Sequence, residues 1–138
     1  RTNKWLNKKL NRTDTMPFAP VILNEYKSSY IEKYNKNNFN SFQNMTMCCH
    51  STDLCKKKAP AAIHIDGTIR PQILKKNANP KYYEILKEYY NLSKIPLLIN
   101  TSFNLHEQPI VSTPQQAYKS FCSSKLDVLI LNSFIILK

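Results

Sequence analysis

Short apolar runs separated by prolines and polar clusters set the framework of this chain. Met16 to Leu23 is apolar but interrupted by Pro17 and Pro20. Their missing N–H groups cannot feed a sheet ladder, so the segment reads as an edge strand or an extended wall. Tyr26, Tyr30, Ile31 and Tyr34 recur at helical spacing and predict a short amphipathic helix over 24–35. Residues 35–43 follow as a polar loop, 45–49 as a strand, and Lys56-Lys57-Lys58 as a solvated turn. Ala61 to Ile65 reads as a short apolar strand that runs into His64-Ile65-Asp66-Gly67-Thr68.

Later elements carry sharper punctuation. Asn79 is a helix cap, Pro80 occupies the first turn, and Tyr82, Tyr83, Ile85, Leu86, Tyr89 and Tyr90 form the apolar face. Residues 96–100 predict a buried strand. Another helix starts at Thr113, with Pro114 inside it and Gln116 at the capping-box position. Val128–Leu131 and Phe134–Leu137 flank Asn132-Ser133 as a closing hairpin. Residues 4–11 resemble the end of a basic helix. The intermixing of strands and helices gives an α/β or α+β class without internal repeats. No apolar run approaches the ~18 residues of a membrane span.

Length narrows the picture to one ordinary domain, since the chain has 138 residues. Twenty Lys+Arg against nine Asp+Glu leave a formal charge of +11, while 42% hydrophobic residues exclude wholesale disorder. A single glycine, Gly67, excludes a Walker-type phosphate loop and a dinucleotide fingerprint, which both need several. Any nucleotide must therefore be held largely by side chains. The chain opens at Arg1 in a Trp- and Lys-containing segment, and we expect a piece of a longer polypeptide. Cys48, Cys49, Cys55 and Cys122 lack the paired spacing of a zinc site, so they read as reduced thiols and no metal site is assigned. Reduced thiols favour the cytoplasm.

Three polar segments stand beside apolar ones, where open α/β sheets place ligands. The first contains Lys8, Lys9 and Arg12, a point charge and a two-pronged donor that could clamp phosphate or simply form a solvated basic face. The second runs from His64 to Gln72. Strand alternation would put His64 and Asp66 on one face, for acid/base work or a cation, with Gly67 releasing a loop that presents Thr68 and Arg70. An ordinary strand end with a hydrogen-bonded histidine fits equally. The third is Asn100-Thr101-Ser102-Phe103-Asn104, a cluster of hydroxyl and amide donors, or an Asn/Ser-rich turn.

In this order, Leu10-Asn11-Arg12-Thr13 with Met16-Pro17-Phe18-Ala19-Pro20, His64-Ile65-Asp66-Gly67-Thr68-Ile69-Arg70-Pro71-Gln72, Asn100-Thr101-Ser102-Phe103-Asn104 and Pro109-Ile110-Val111 with Thr113-Pro114 and Ala117 resemble the C-terminal domain of the O-carbamoyltransferases, which act on nodulation factors and antibiotics. The resemblance spans residues 6–138. It implies a YrdC-like domain, a mixed twisted sheet with packed helices, occupying 1–138. It also implies binding of ATP, with Mg2+, and of carbamoyl phosphate, to form carbamoyl-adenylate. A preceding transferase domain, holding an iron-type metal, would pass the carbamoyl group to a substrate hydroxyl. The Ser-x-Asn pair of such sites falls on Ser102 and Asn104, and the arginine of the His-x-Asp-Gly motif on Arg70. These are the expected catalytic residues. Lys9, Arg12, His64, Asp66, Thr68, Asn100 and Thr101 are the expected ligand-binding ones. The family string Lys-His-Arg-Glu-x-Phe-Arg-Pro-Phe-Ala-Pro has its lysine and last arginine at Leu10 and Met16, keeping only Arg12, with Lys9 one position away. Its Gly-Glu-Pro corresponds to Glu107-Gln108-Pro109.

Two other readings follow from composition. A basic nucleic-acid-binding module would use the positive charge with Tyr26, Tyr30 and Tyr34 as stacking platforms, although their spacing fits an inward helix face better. A docking domain without its own catalysis would expose apolar surface for its partner.

Overall fold

A computed structural model of the chain describes residues 2–10, 18–33, 39–105 and 108–138. It is an α/β arrangement in two compact units, one formed by Pro17–Thr101 and the other by Arg1–Met16 with Ser102–Lys138.

The larger unit is organised by a three-stranded mixed sheet. Strand β1 (Ala19–Leu23) lies between β4 (Gln72–Leu74), to which it is parallel, and β5 (Leu97–Asn100), to which it is antiparallel. The proline-bearing segment is therefore the central strand, not the expected edge. Register explains how the sheet tolerates it: Pro20 pairs only with Ile99 of β5, and β4 joins at Val21, one residue beyond the proline. The missing N–H meets no second ladder. All five β1 residues are buried, as a central strand covered on both faces requires.

Alternation divides the apolar residues between the two faces. Ile22, Ile73 and Leu97 pack with Tyr30, Ile31, Phe42, Cys55 and Ile69, whereas Val21, Leu23 and Leu74 meet Tyr83 and Leu86. Those last two residues belong to α5 (Pro80–Ser93), whose start matches its sequence signals. Asn79 Oδ1 accepts from Tyr82 N at 3.1 Å, Pro80 fills the first turn, and Lys94 closes the helix in the left-handed region. Only part of the expected apolar face is covered. Tyr82, Tyr83, Leu86 and Tyr90 form the buried or half-buried stripe, while Ile85 and Tyr89 are exposed. At 100° per residue, the last two lie on the margin of that stripe.

The connecting elements depart further from expectation. The helix foreseen over 24–35 is a 3₁₀ turn (Asn24–Tyr26) followed by α2 (Lys27–Tyr30). Ile31 is already extended, bridging to Ser51, and Tyr34 lies outside the described residues. The supposed loop over 35–43 ends in α3 (Phe39–Gln43), and the strand over 45–49 contracts to β2 (Cys49–His50). The three lysines form the last turn of α4 (Asp53–Lys58), where cations suit the carbonyl end of the helix dipole. Ala61 to Ile65 is not a strand. A 3₁₀ turn (Pro60–Ala62) leads into a loop, and the pairing segment is β3 (Thr68–Ile69) against β2. Periodicity cannot separate a 3₁₀ turn from a strand over so few residues.

In the smaller unit, α1 (Thr2–Leu10) bears out the basic helix end. Helix α6 (Pro114–Ser123) opens on Thr113, whose Oγ1 accepts from Gln116 N at 3.2 Å, and Gln116 Oε1 accepts from Ser112 N at 3.0 Å. The capping box thus closes one residue earlier than its usual form. Strands β6 (Val128–Leu131) and β7 (Phe134–Leu137) form the foreseen hairpin, with Asn132 at φ 52° in its turn. Phe121 and Ala117 of α6, Leu129 of β6 and Asn7 of α1 are the buried described residues of these elements. Among the described residues no helix is long and apolar enough to cross a membrane.

Candidate functional site

The loop after Ala62 is built around its one glycine. Gly67 has φ 79°, a left-handed conformation that side chains resist, and this lets the chain turn within five residues. His64 N donates to Thr68 O at 2.8 Å, and Gly67 N donates to His64 O at 3.0 Å. The Gly67 carbonyl is anchored in turn by the Ser51 hydroxyl at 2.9 Å. His64 and Asp66 therefore do converge, through a turn and not through strand alternation. Thr68 joins them. Its amide and hydroxyl donate to Asp66 Oδ1 at 2.9 and 2.7 Å, and its Oγ1 lies 3.0 Å from His64 Nδ1. With its one proton given to the carboxylate, the hydroxyl is an acceptor toward the imidazole. The Thr68 hydroxyl, then its amide, hold the Asp66 carboxyl below the usual carboxylate value, and nearby His64 adds to the effect.

His64 also ties this loop to the sheet. Its Nε2 is 3.3 Å from the carbonyl of Phe18, the residue before β1. At that same end of the sheet, Ala19 pairs with Asn100, the last residue of β5. Asn100 Nδ2 donates to Gln72 Oε1 at 2.7 Å, so the two outer strands are joined by a side-chain bond over β1. Arg70 stands two residues before β4, exposed, and forms no ion pair with any described residue. Within the larger unit, His64, Asp66, Thr68, Arg70, Asn100 and Thr101 are thus gathered around one end of the sheet. Gln72 ends the same motif, and its sequence neighbours give it no role. Only strand register reveals it, because its partner is 28 residues away in sequence.

The remaining candidates belong to the smaller unit. Lys9 Nζ pairs with Asp127 Oδ1 at 2.6 Å and lies 5.3 Å from the Trp5 ring centre. Its charge is already engaged in fastening α1 to the residue before β6, and an incoming phosphate would have to compete. Ser102 is exposed. Asn104 Nδ2 donates to the carbonyls of Leu105 at 3.1 Å and Gln108 at 2.9 Å, clipping its own loop, whose base is closed by Val111 N to Phe103 O at 3.1 Å. Beside that loop is a cleft of about 430 Å³, lined among others by Leu105, Ile110, Val111, Gln116 and Lys119, which the sequence did not signal. Arg12 lies outside the described residues, as do the departures noted at Met16 and Glu107.

Other chemistry recedes on inspection. The four cysteines are unpaired, and burial pushes the Cys49 thiol up to about 12 and Cys55 to about 11, far from a reactive thiolate at neutral pH. No group of three or more His, Cys, Asp or Glu among the described residues could hold a metal. Tyr30 is buried. Tyr26 packs against Tyr90 with ring centres 4.6 Å apart and planes tilted by 43°, and hydrogen bonding to Tyr90 is the main cause that raises Tyr26 to about 12. These rings face their own unit, as helical spacing implied, and offer no row of stacking platforms.

Comparison with known proteins gives a consistent result. The family described as Carbamoyltransferase C-terminus matches residues 1–138. An uncharacterized protein of Methanocaldococcus jannaschii is 38% identical over 133 residues, which are 96% of this chain and 25% of that protein. Nodulation protein NolO of Bradyrhizobium diazoefficiens is 31% identical over 92% of this chain and 23% of its own length. Nodulation protein NolNO of Sinorhizobium fredii is 31% identical over 88% of this chain and 18% of its own. The chain spans no more than about a quarter of the length of these relatives.

Proposed function

The chain belongs to the carbamoyltransferase C-terminal family, and from that premise we propose that it holds carbamoyl phosphate and ATP for carbamoyl-adenylate formation within a longer O-carbamoyltransferase. Water first hydrolyses carbamoyl phosphate, taking the phosphoryl group as inorganic phosphate and leaving carbamate. An oxygen of the resulting carbamate then attacks the α-phosphorus of ATP, pyrophosphate leaves, and a substrate hydroxyl finally takes the carbamoyl group with release of AMP. That last step belongs to a transferase domain elsewhere in the polypeptide, where an iron-type metal would also be held.

One observation carries the reading: Arg70 is exposed and unpaired by any described acid, beside a rigid His64–Thr68–Asp66 turn at the sheet end that also carries Asn100 and Thr101. A guanidinium left without a carboxylate is available to phosphoryl oxygens, and neutral donors beside it suit the charge that develops on leaving phosphates. Mg2+ would come as the companion of ATP, bound through its phosphates, with no described residue assigned to it. The setting we assign is the cytoplasm, where both phosphate compounds and reduced thiols are found.

The test is carbamoyl-phosphate-dependent ATP–pyrophosphate exchange in the full-length protein. Arg70→Ala should lower exchange by 100-fold or more, on the order of the ~3 kcal/mol carried by one charge-assisted phosphate contact. Exchange at the wild-type rate would remove Arg70 from the site.

A further inference from the structure

The sheet face beneath α5 changes character along its length. Paired residues share a face, so Val21, Gln72 and Leu98 stand together, as do Ala19 and Asn100. Toward the end of β1, Val21, Leu23 and Leu74 are apolar and covered by Tyr83 and Leu86. Toward its start, the same face carries the two amides Gln72 and Asn100, both half-buried. Burying amides at a site where alternation would admit valine or leucine costs free energy unless their polar atoms are used. The bond from Asn100 Nδ2 to Gln72 Oε1 uses one donor and one acceptor. Gln72 Nε2 and Asn100 Oδ1 remain, and neither has a partner among the described residues.

The geometry points to this amide pair as the subsite that reads the carbamoyl group itself. A carbamoyl group is planar and presents a carbonyl acceptor beside an NH2 donor. Gln72 Nε2 can donate to that carbonyl, and Asn100 Oδ1 can accept from that NH2. The mutual bond holds the complementary donor and acceptor in place. Arg70, two residues ahead of Gln72, supplies the cation for the attached phosphate. The pair would thereby separate carbamoyl phosphate from acetyl phosphate, which has the same charge but a methyl in place of NH2. A site built to bond an NH2 leaves its acceptor unpaired with the methyl analogue. This inference rests on the reading under Proposed function.

Calorimetric titration of the full-length protein with carbamoyl phosphate and with acetyl phosphate tests it. Wild type should prefer carbamoyl phosphate by about tenfold or more, the equivalent of one net hydrogen bond. Gln72→Met, similar in length but without the amide, should abolish that preference. Gln72→Glu keeps the acceptor that holds Asn100 and loses the donor to the carbonyl, which both ligands share, so both affinities should fall while their ratio, set by Asn100 Oδ1, is kept and the melting temperature is preserved. Its added charge weakens both ligands alike and leaves the ratio a clean readout. Arg70→Ala should weaken both phosphates and keep the ratio. A preference unchanged in Gln72→Met, or lost as strongly in Gln72→Glu or Arg70→Ala, overturns the subsite while leaving the carbamoyl-phosphate reading standing. Absence of carbamoyl phosphate binding in wild type overturns both.

Discussion

Two polar loops that hold candidate residues are stabilised in different ways. In the His64–Thr68 turn, side chains are tied to one another and to other elements: Thr68 to Asp66 and His64, His64 to Phe18, and Gly67 to Ser51. In the Phe103–Val111 loop, Asn104 bonds only to carbonyls of its own loop, and Ser102 is exposed. The first loop is held by a scaffold and can present groups in a fixed geometry before any ligand arrives. The second is held by itself, so it can move as a unit without breaking those bonds. Preorganisation is a property of where the hydrogen bonds lead, and both loops look equally polar in sequence.

The supports beneath this contrast differ most in energy. Leu86 is fully buried beneath the sheet to which the first loop is anchored, and Leu86→Ala should cost about 2–5 kcal/mol in chemical denaturation. Ile130→Ala, on the 60% exposed side of the hairpin in the other unit, should cost below about 0.5 kcal/mol. Equal losses would end the distinction. Gly67→Ala should cost about 1 kcal/mol from backbone strain alone, because a Cβ there meets nothing within 4 Å. Asn104→Ala should leave global stability almost unchanged. Its signature is faster amide exchange at Gln108 and Val111, with the His64–Thr68 turn unaffected.

Acid offers a finer probe of the first loop. Asp66 is held below the ordinary carboxylate value in the folded chain, so its stabilising contribution is complete above that value and fades as pH falls through the lowered one. Thr68→Val removes the principal cause. The Asp66 titration, followed by NMR, should then move back up toward the ordinary carboxylate value, and this part of the acid sensitivity should vanish. The smallest effect is expected at Lys9. Its pair with a largely exposed Asp127 makes Lys9→Ala worth under about 1 kcal/mol, and less in high salt.

Local chemistry made several elements legible. Asn79-Pro80, Thr113-Pro114 with Gln116, and Asn132-Ser133 each carry the polar or restricted side chain that a cap or turn needs, and each lies where it was read. The lone glycine likewise marked a left-handed turn correctly. Failures came where an apolar stretch was short. Ala61 to Ile65 is apolar enough for a strand, but the chain leaves its 3₁₀ turn after Ala62, and His64 and Asp66 meet by curling around Thr68. Tyr26, Tyr30 and Ile31 suggested a continuous helix that stops at Tyr30, because Ile31 has a bridging partner in Ser51.

What the residues alone determined was the α/β class, the caps, the closing hairpin and the identity of the polar segments, since these depend on groups close together in the chain. Only tertiary structure decided that the proline-bearing strand is central, that Lys9 is spent on Asp127, and that Gln72 grips Asn100. Each of those is a pairing across dozens of residues, set by register and packing, and no local preference encodes which distant partner a side chain will meet.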